Sequence, residues 1–245
     1  MGMDYFSARA AELRAFLESR LPVYGQEFAF LKPWGRDLPE RLLPFASGGK
    51  LIRGGLVALG QELAGGRPGE QALIVGAAME LLQSAFLIHD DIMDRDRLRR
   101  GMPAVFWQYR EAANARSLAD ADHYGESMGI CAGDCAFFLA LRLLLSTDLP
   151  AGLAAYCCRE AYAVGLAQMQ DVEYGAFPDI PDEAEILTLY TWKAGRYSFS
   201  LPLAAGAMLA GAGCDLVANL ERLGESLGVA FQMRDDELGL FGTET

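Results

Sequence analysis

Histidine is nearly absent from this 245-residue sequence, where His89 and His123 are the two present. Cysteine is sparse and odd in number, at 131, 135, 157, 158 and 214. An odd set with no secretory segment ahead of it speaks against a disulfide scaffold and for reduced thiols in a cytoplasmic protein. Cys131 and Cys135 are four apart on a predicted helix but lack a second ligand pair for zinc, so they are expected to be small core residues. Basic charge is in the minority. Lys plus Arg number 21 against 33 Asp plus Glu, a formal net charge of −12. That balance disfavours nucleic acid or anionic membrane as a partner and suits a protein that attracts cations. The alternation of Val, Ile and Thr that marks strands is missing. So are short-period repeats and low-complexity linkers. The opening MGMDYFSARAAELRAFLESR is charged and amphipathic, unlike a signal peptide. The longest uncharged stretch, Tyr197–Cys214, contains Pro202 among weakly apolar alanines. It predicts a buried, kinked helix rather than a membrane span.

What is present is helical periodicity. Hydrophobic residues make up 52% and charged residues 22%, enough for a sizeable core. AELRAFLESRL spaces apolar residues three and four apart. Runs rich in Ala, Leu, Glu and Met cover 69–96, 119–146, 151–176, 182–211 and 215–241. Breaks are expected at Pro22, Pro33, Pro44, 65–69, 101–103, 148–150 and 178–181. The reading is one all-α domain over 1–245, of roughly eight to ten long helices with short connections, packed mostly antiparallel around a central space.

Chemistry concentrates in HDDIMDRDRLRRG, residues 89–101, where three aspartates within five residues precede four arginines within six. Asp90 and Asp94 fall on one helix face, one turn apart, and Asp91 is offset by about 100°. Like charges at that spacing repel, and a hard divalent cation with a preference for oxygen ligands removes the cost. Arg99 and Arg100 suit a second anionic group such as phosphate. The alternative is a solvated charge run that merely ends a helix. SGGKLIRG (47–54) sets Lys50 and Arg53 after two glycines, a plausible diphosphate grip or a plain helix junction. FQMRDDELG (231–239) supplies a second pair, Asp235 and Asp236. Gln168, Asp171 and Lys193 add polar groups to otherwise apolar helices, where buried polar groups need partners.

Taken in order, GGKLIR, DDIMD…RRG, AQMQD, WKAGRYSF and FQMRDD resemble the motifs of the trans-isoprenyl diphosphate synthases, or polyprenyl synthases, from about Phe45 onward. Ala167 stands where the family has glycine, Ala194 where it has threonine, and Gly239 where a last aspartate is common. The resemblance implies an isoprenoid-synthase-type helical bundle. It implies that Asp90, Asp91, Asp94, Asp171, Asp235 and Asp236 hold magnesium, three ions with diphosphate bound. Arg99 and Lys193 would touch an allylic diphosphate (dimethylallyl, geranyl or farnesyl). Lys50, Arg53, Gln83 and Arg100 would hold isopentenyl diphosphate, with Gln232 also at the substrate and Gln168 steadying the allylic cation. Phe86, four before Asp90, would either stop the product at a short C15–C20 length or be a plain core residue. The expected activity is prenyl transfer, by a homodimer that does not span a membrane. Alternatives are a non-catalytic subunit of a heteromeric synthase, or a terpene cyclase. Family members continue past FGTET with a TGK-type loop and further helices. The resemblance therefore implies a domain lacking those C-terminal helices, with its full activity in question.

Overall fold

A computed structural model describes residues 2–178 and 180–241. The last four residues of the FGTET end lie outside the described residues. The chain divides into two compact units, Met1–Ile52 with Ala77–Ser146, and Arg53–Gly76 with Thr147–Thr245.

In the first unit, α1 (Gly2–Glu27) buries Ala10, Leu13, Leu17 and Leu21, the stripe its sequence periodicity predicts. It packs on α2 (Trp34–Ser47). Pro22 and Pro44 lie inside these helices rather than ending them. A proline removes one backbone hydrogen bond, and burial of the flanking Leu21 and Phe45 outweighs that local loss. Most of α4 (Glu70–Met93) belongs to this unit and ends at the first aspartates. Next comes a short antiparallel hairpin, β1 (Leu98–Arg99) and β2 (Met102–Pro103). It departs from the strand-free reading. Its two-residue turn has positive φ at both Arg100 (53°) and Gly101 (75°), the geometry that matches strand twist. Helix α5 (Val105–Asn114) then packs along α6 (Ala121–Leu144).

Helix α6 turns Gly125, Gly129, Ala132, Gly133, Ala136 and Ala140 inward. Cys131 and Cys135 are exposed, contrary to the core expectation, because these smaller residues already fill the inner face. Helices α4 and α6 are long and apolar enough to cross a membrane by length and composition. The most apolar window of α4 is 72% buried inside the fold, and that of α6 39%.

The second unit holds α3 (Ile52–Leu63), apart from its first residue, together with α7 (Leu153–Ala176), α8 (Glu183–Leu189), α9 (Leu201–Leu209) and α10 (Cys214–Phe241). Between α8 and α9 the chain stays helical but widens into a π-helix, Tyr190–Ser200, in which the Leu201 N–H donates to the Arg196 carbonyl five residues back. Such segments are rare and are usually single turns. Of the predicted stretch Tyr197–Cys214, the part to Leu209 is helix, buried up to Ala207 apart from the half-buried Phe199; Gly211, Gly213 and Cys214 are exposed, so the helix is shorter than expected. Pro202 sits in the first turn of α9, directly after the π-helix.

The π-helix is matched to α10. Gly224 and Gly228, four apart on α10, face Ser200 and Gly195, five apart on the π-helix. Tyr190, five residues earlier again, donates its hydroxyl to Asp236. In an α-helix, residues five apart would diverge by about 140°. The wider turn aligns Tyr190, Gly195 and Ser200 along one partner.

Candidate active site

The first aspartate cluster sits where α4 ends. The Asp94 N–H still donates to the Asp90 carbonyl at 2.8 Å, so the two side chains remain one helical turn apart. Asp94 is exposed and Asp90 partly so. Asp91 points inward and its side chain is 0% exposed. Arg99 Nε donates to Asp91 Oδ1 at 2.7 Å, while the other Asp91 oxygen has no hydrogen-bond partner. Burial pushes the Asp91 carboxyl up to about 6, against the pull of Arg99. The same guanidinium lies 3.6 Å from Asp90 and from Asp96. Arg99 thus occupies the centre of the carboxylates.

The next residue serves the other motif. The Arg100 guanidinium covers Gly49 so closely that a Cβ there would fall 2.5 Å from Nη1. The hairpin therefore brings Arg100 to the Gly48–Gly49–Lys50 loop while Arg99 faces the aspartates. Lys50 itself is exposed. Phe86 is half-buried and meets Phe137 of α6 edge-on, with ring centroids 4.9 Å apart. Gln83 lies one turn before it on α4, partly exposed.

In the second unit, Arg53 Nη2 donates to Ser198 Oγ at 2.6 Å and its guanidinium lies 4.7 Å from the centre of the Tyr197 ring. Arg53 Nε is buried without a partner. Lys193 Nζ is paired with Asp171, and Gln168 lies one turn before Asp171 on α7. Of the second aspartate pair, Asp236 accepts from Tyr190 and, at 2.8 Å, from Gln232. That bond holds the Tyr190 hydroxyl up to about 12. Asp235 is exposed at the side of α10.

Sequence reasoning did not single out a buried charge network further along the same helices. Arg196 forms two 2.9 Å hydrogen bonds with Glu160 on α7 and is bound also by Glu225 and Glu221 on α10. Glu160 is 1% and Arg196 10% exposed. Burial opposes the Arg196 charge, but its carboxylates more than offset that and raise its pKa. A charged residue within an apolar helical run was the available signal. A cavity of about 640 Å³ lies beside the network, lined by Tyr156, Arg159, Trp192, Arg196, Met208 and Glu221, and the aspartate pair of α10 is not part of it.

Residues 40–245 match the polyprenyl synthetase family. This chain belongs to that family. It is 34% identical to a geranylgeranyl diphosphate synthase of Sulfolobus acidocaldarius, over 82% of this chain and 57% of that relative. It is 30% identical to a (2E,6E)-farnesyl diphosphate synthase of Mycobacterium tuberculosis, over 91% of this chain and 63% of the relative. The chain thus spans about three fifths of the length of the curated relatives it matches. Among solved structures it resembles a geranylgeranyl pyrophosphate synthase of Corynebacterium glutamicum, complexed with isoprenyl diphosphate and magnesium. The TM-score is 0.89 at 28% identity, covering 99% of this chain and 70% of that one.

For a polyprenyl synthetase family member, the donor chemistry of these carboxylates fits a hard divalent cation. Among the described residues no three His, Cys, Asp or Glu side chains converge into a metal-holding group. Magnesium is usually held by one or two carboxylates plus phosphate oxygens, so a sparse carboxylate set is the expected one. The exposed Asp94 and Asp235 and the partly exposed Asp90 meet that description better than Asp91, which is wholly buried with one oxygen on Arg99, or Asp236, whose two oxygens accept from Tyr190 and Gln232.

Proposed function

We propose that this protein is a prenyltransferase that joins isopentenyl diphosphate to an allylic diphosphate and releases diphosphate, giving a short-chain (C15–C20) trans-prenyl diphosphate. The observation that carries the reading is the hairpin, on which neighbouring arginines serve two anion-handling motifs: Arg99 at the aspartates and Arg100 at the glycine–lysine loop.

In this reading Lys50, Arg53, Arg100 and Gln83 grip isopentenyl diphosphate, the guanidinium forks matching phosphate oxygens. Arg99 and Lys193 bind the allylic diphosphate with the N–H donors their aspartates leave open. Magnesium, up to three ions, would be held by Asp90, Asp94 and Asp235 and would stabilise charge on the departing diphosphate. Asp91, Asp171 and Asp236 orient Arg99, Lys193 and Tyr190, and Gln232 supports Asp236. Gln168 presents its dipole to the allylic cation. Apolar helix faces exclude water, which would otherwise quench that cation. Phe86 limits the length of the growing tail. The same proposal has the protein working as a cytoplasmic homodimer on small diphosphates, with no nucleic acid. An apolar flank of α6 exposing Ile130 and Phe138, with Leu145 just past its end, is consistent with a partner.

The test is incubation of the protein with magnesium, isopentenyl diphosphate and each allylic diphosphate in turn. Diphosphate release that requires isopentenyl diphosphate, with a longer prenyl product, is expected. Release from the allylic substrate alone would point instead to a cyclase. Binding without turnover would point to a non-catalytic subunit.

A further inference from the structure

Lys193 and Arg196 lie three residues apart on the π-helix, yet their partners on α7, Asp171 and Glu160, are eleven apart. Eleven residues are three turns of an α-helix, so both carboxylates share one face, about 16 Å apart along it. The two side chains therefore reach in opposite directions along α7 and fasten the π-helix at two points. Arg196 also binds Glu225 on α10, and the Ser200 hydroxyl donates to the Glu221 carbonyl at 2.7 Å. Arg196 is thus bonded both to Glu160 on α7 and to Glu225 and Glu221 on α10.

We propose that Arg196 is a positioning residue for Lys193: its carboxylate cage locks the segment in π register, and that register aims the Lys193 ammonium at Asp171. Relaxing even one π turn to α geometry rotates every later residue relative to the earlier ones, so Lys193 and Ser200 cannot both keep their partners. Arg196 opposes that rotation because its planar fork matches the Glu160 carboxylate in one orientation. Loss of the fork would also leave Glu160 charged, almost wholly buried and held by the exposed Arg159 alone. The consequence for turnover rests on the prenyl-transfer reading. The aim of Lys193 does not.

The chain has three lysines, Lys32, Lys50 and Lys193, which makes competitive amine labelling a clean probe. In Arg196→Met, acetylation of Lys193 relative to Lys32, read by peptide mass spectrometry, should rise about two- to fivefold, the population change a half-exposed ion pair can sustain. Arg196→Lys should recover only part of the native ratio. In the condensation assay kcat should fall while KM for isopentenyl diphosphate holds. A folded Arg196→Met protein with the native labelling ratio overturns the proposal, as does raised labelling with unchanged kcat. If Arg196→Met does not fold, the double variant Glu221→Gln, Glu225→Gln decides, since it removes both α10 carboxylates and leaves Glu160 in place. A smaller rise in labelling supports the proposal and an unchanged ratio overturns it. Absence of turnover in the unaltered protein would count against the prenyl-transfer reading and leave the labelling result standing.

Discussion

Gly228 of α10 lies directly against Gly195 of the π-helix, so close that a Cβ on Gly228 would overlap the Gly195 backbone. The two helices meet main chain to main chain. That approach sets how near the second aspartate pair can come to Tyr190.

Replacing Gly228 with alanine should therefore force the helices apart and cost about 1–3 kcal/mol, the usual penalty of overpacking. Urea denaturation measures it. Gly165→Ala is the contrast. Gly165 is exposed within α7 and nothing stands within 4 Å of its would-be Cβ, so the change should stabilise by about 0.5–1 kcal/mol.

Asp235 and Asp236 should separate in function. With Asp236 occupied by Tyr190 and Gln232, Asp236→Asn is expected to lower turnover by about 10–100-fold, as loss of a supporting group does. Asp235→Asn should cost more, and should weaken magnesium-dependent binding of diphosphate itself. Isothermal titration with magnesium and inorganic diphosphate distinguishes the two. Equal losses of affinity would contradict the assignment.

Gly49→Ala should displace Arg100 without unfolding the protein, because the clashing atom is the end of a flexible side chain. Losing one charge-assisted hydrogen bond should raise KM for isopentenyl diphosphate by about 10–100-fold. KM for the allylic substrate should be unaffected.

Acid stability should depend on Glu160. Burial pushes its pKa up, but hydrogen bonds from Arg196 and Arg159 prevail and hold it below its ordinary value of 4.5. A depressed acid contributes stability that is fully present above the unfolded-state pKa. It is lost as pH falls through the folded-state value. The melting temperature should accordingly drop as pH is taken below about 4.5. Glu160→Gln should flatten that slope while costing about 3 kcal/mol at neutral pH, since it breaks a buried pair.

Phe86→Ala should remove the edge-on contact with Phe137 and destabilise by about 2 kcal/mol, below the full-burial range because Phe86 is only half-buried. Products read by chromatography should be longer. An unchanged product length would leave Phe86 as a plain packing residue.

The helices were legible because each is written locally. The apolar spacing in α1, and the runs that became α4, α6, α7 and α10, need only a few consecutive residues to specify a face. The aspartates, the glycine–lysine loop and Lys193 were legible for a similar reason, since each motif is a short run of unusual residue types. The hairpin was missed because two residues per strand leave no alternation to detect. Its signal was confined to the Arg100–Gly101 turn. The cysteines of α6 were misassigned because a helical period does not say which flank an intermediate residue takes.

By itself, then, the sequence determined the helical class, the family motifs and the charged and amide residues on which the proposed chemistry draws. The tertiary structure alone decided that Arg99 and not a neighbour meets Asp91, that Asp236 is spoken for by Tyr190, and that residues 190–200 widen into a π-helix. Those outcomes turn on partners far along the chain, such as Arg196 and Glu160, 36 positions apart. A helix can choose its register, and a charge can be buried, only when the group that matches it has been brought into contact by the packing of other elements.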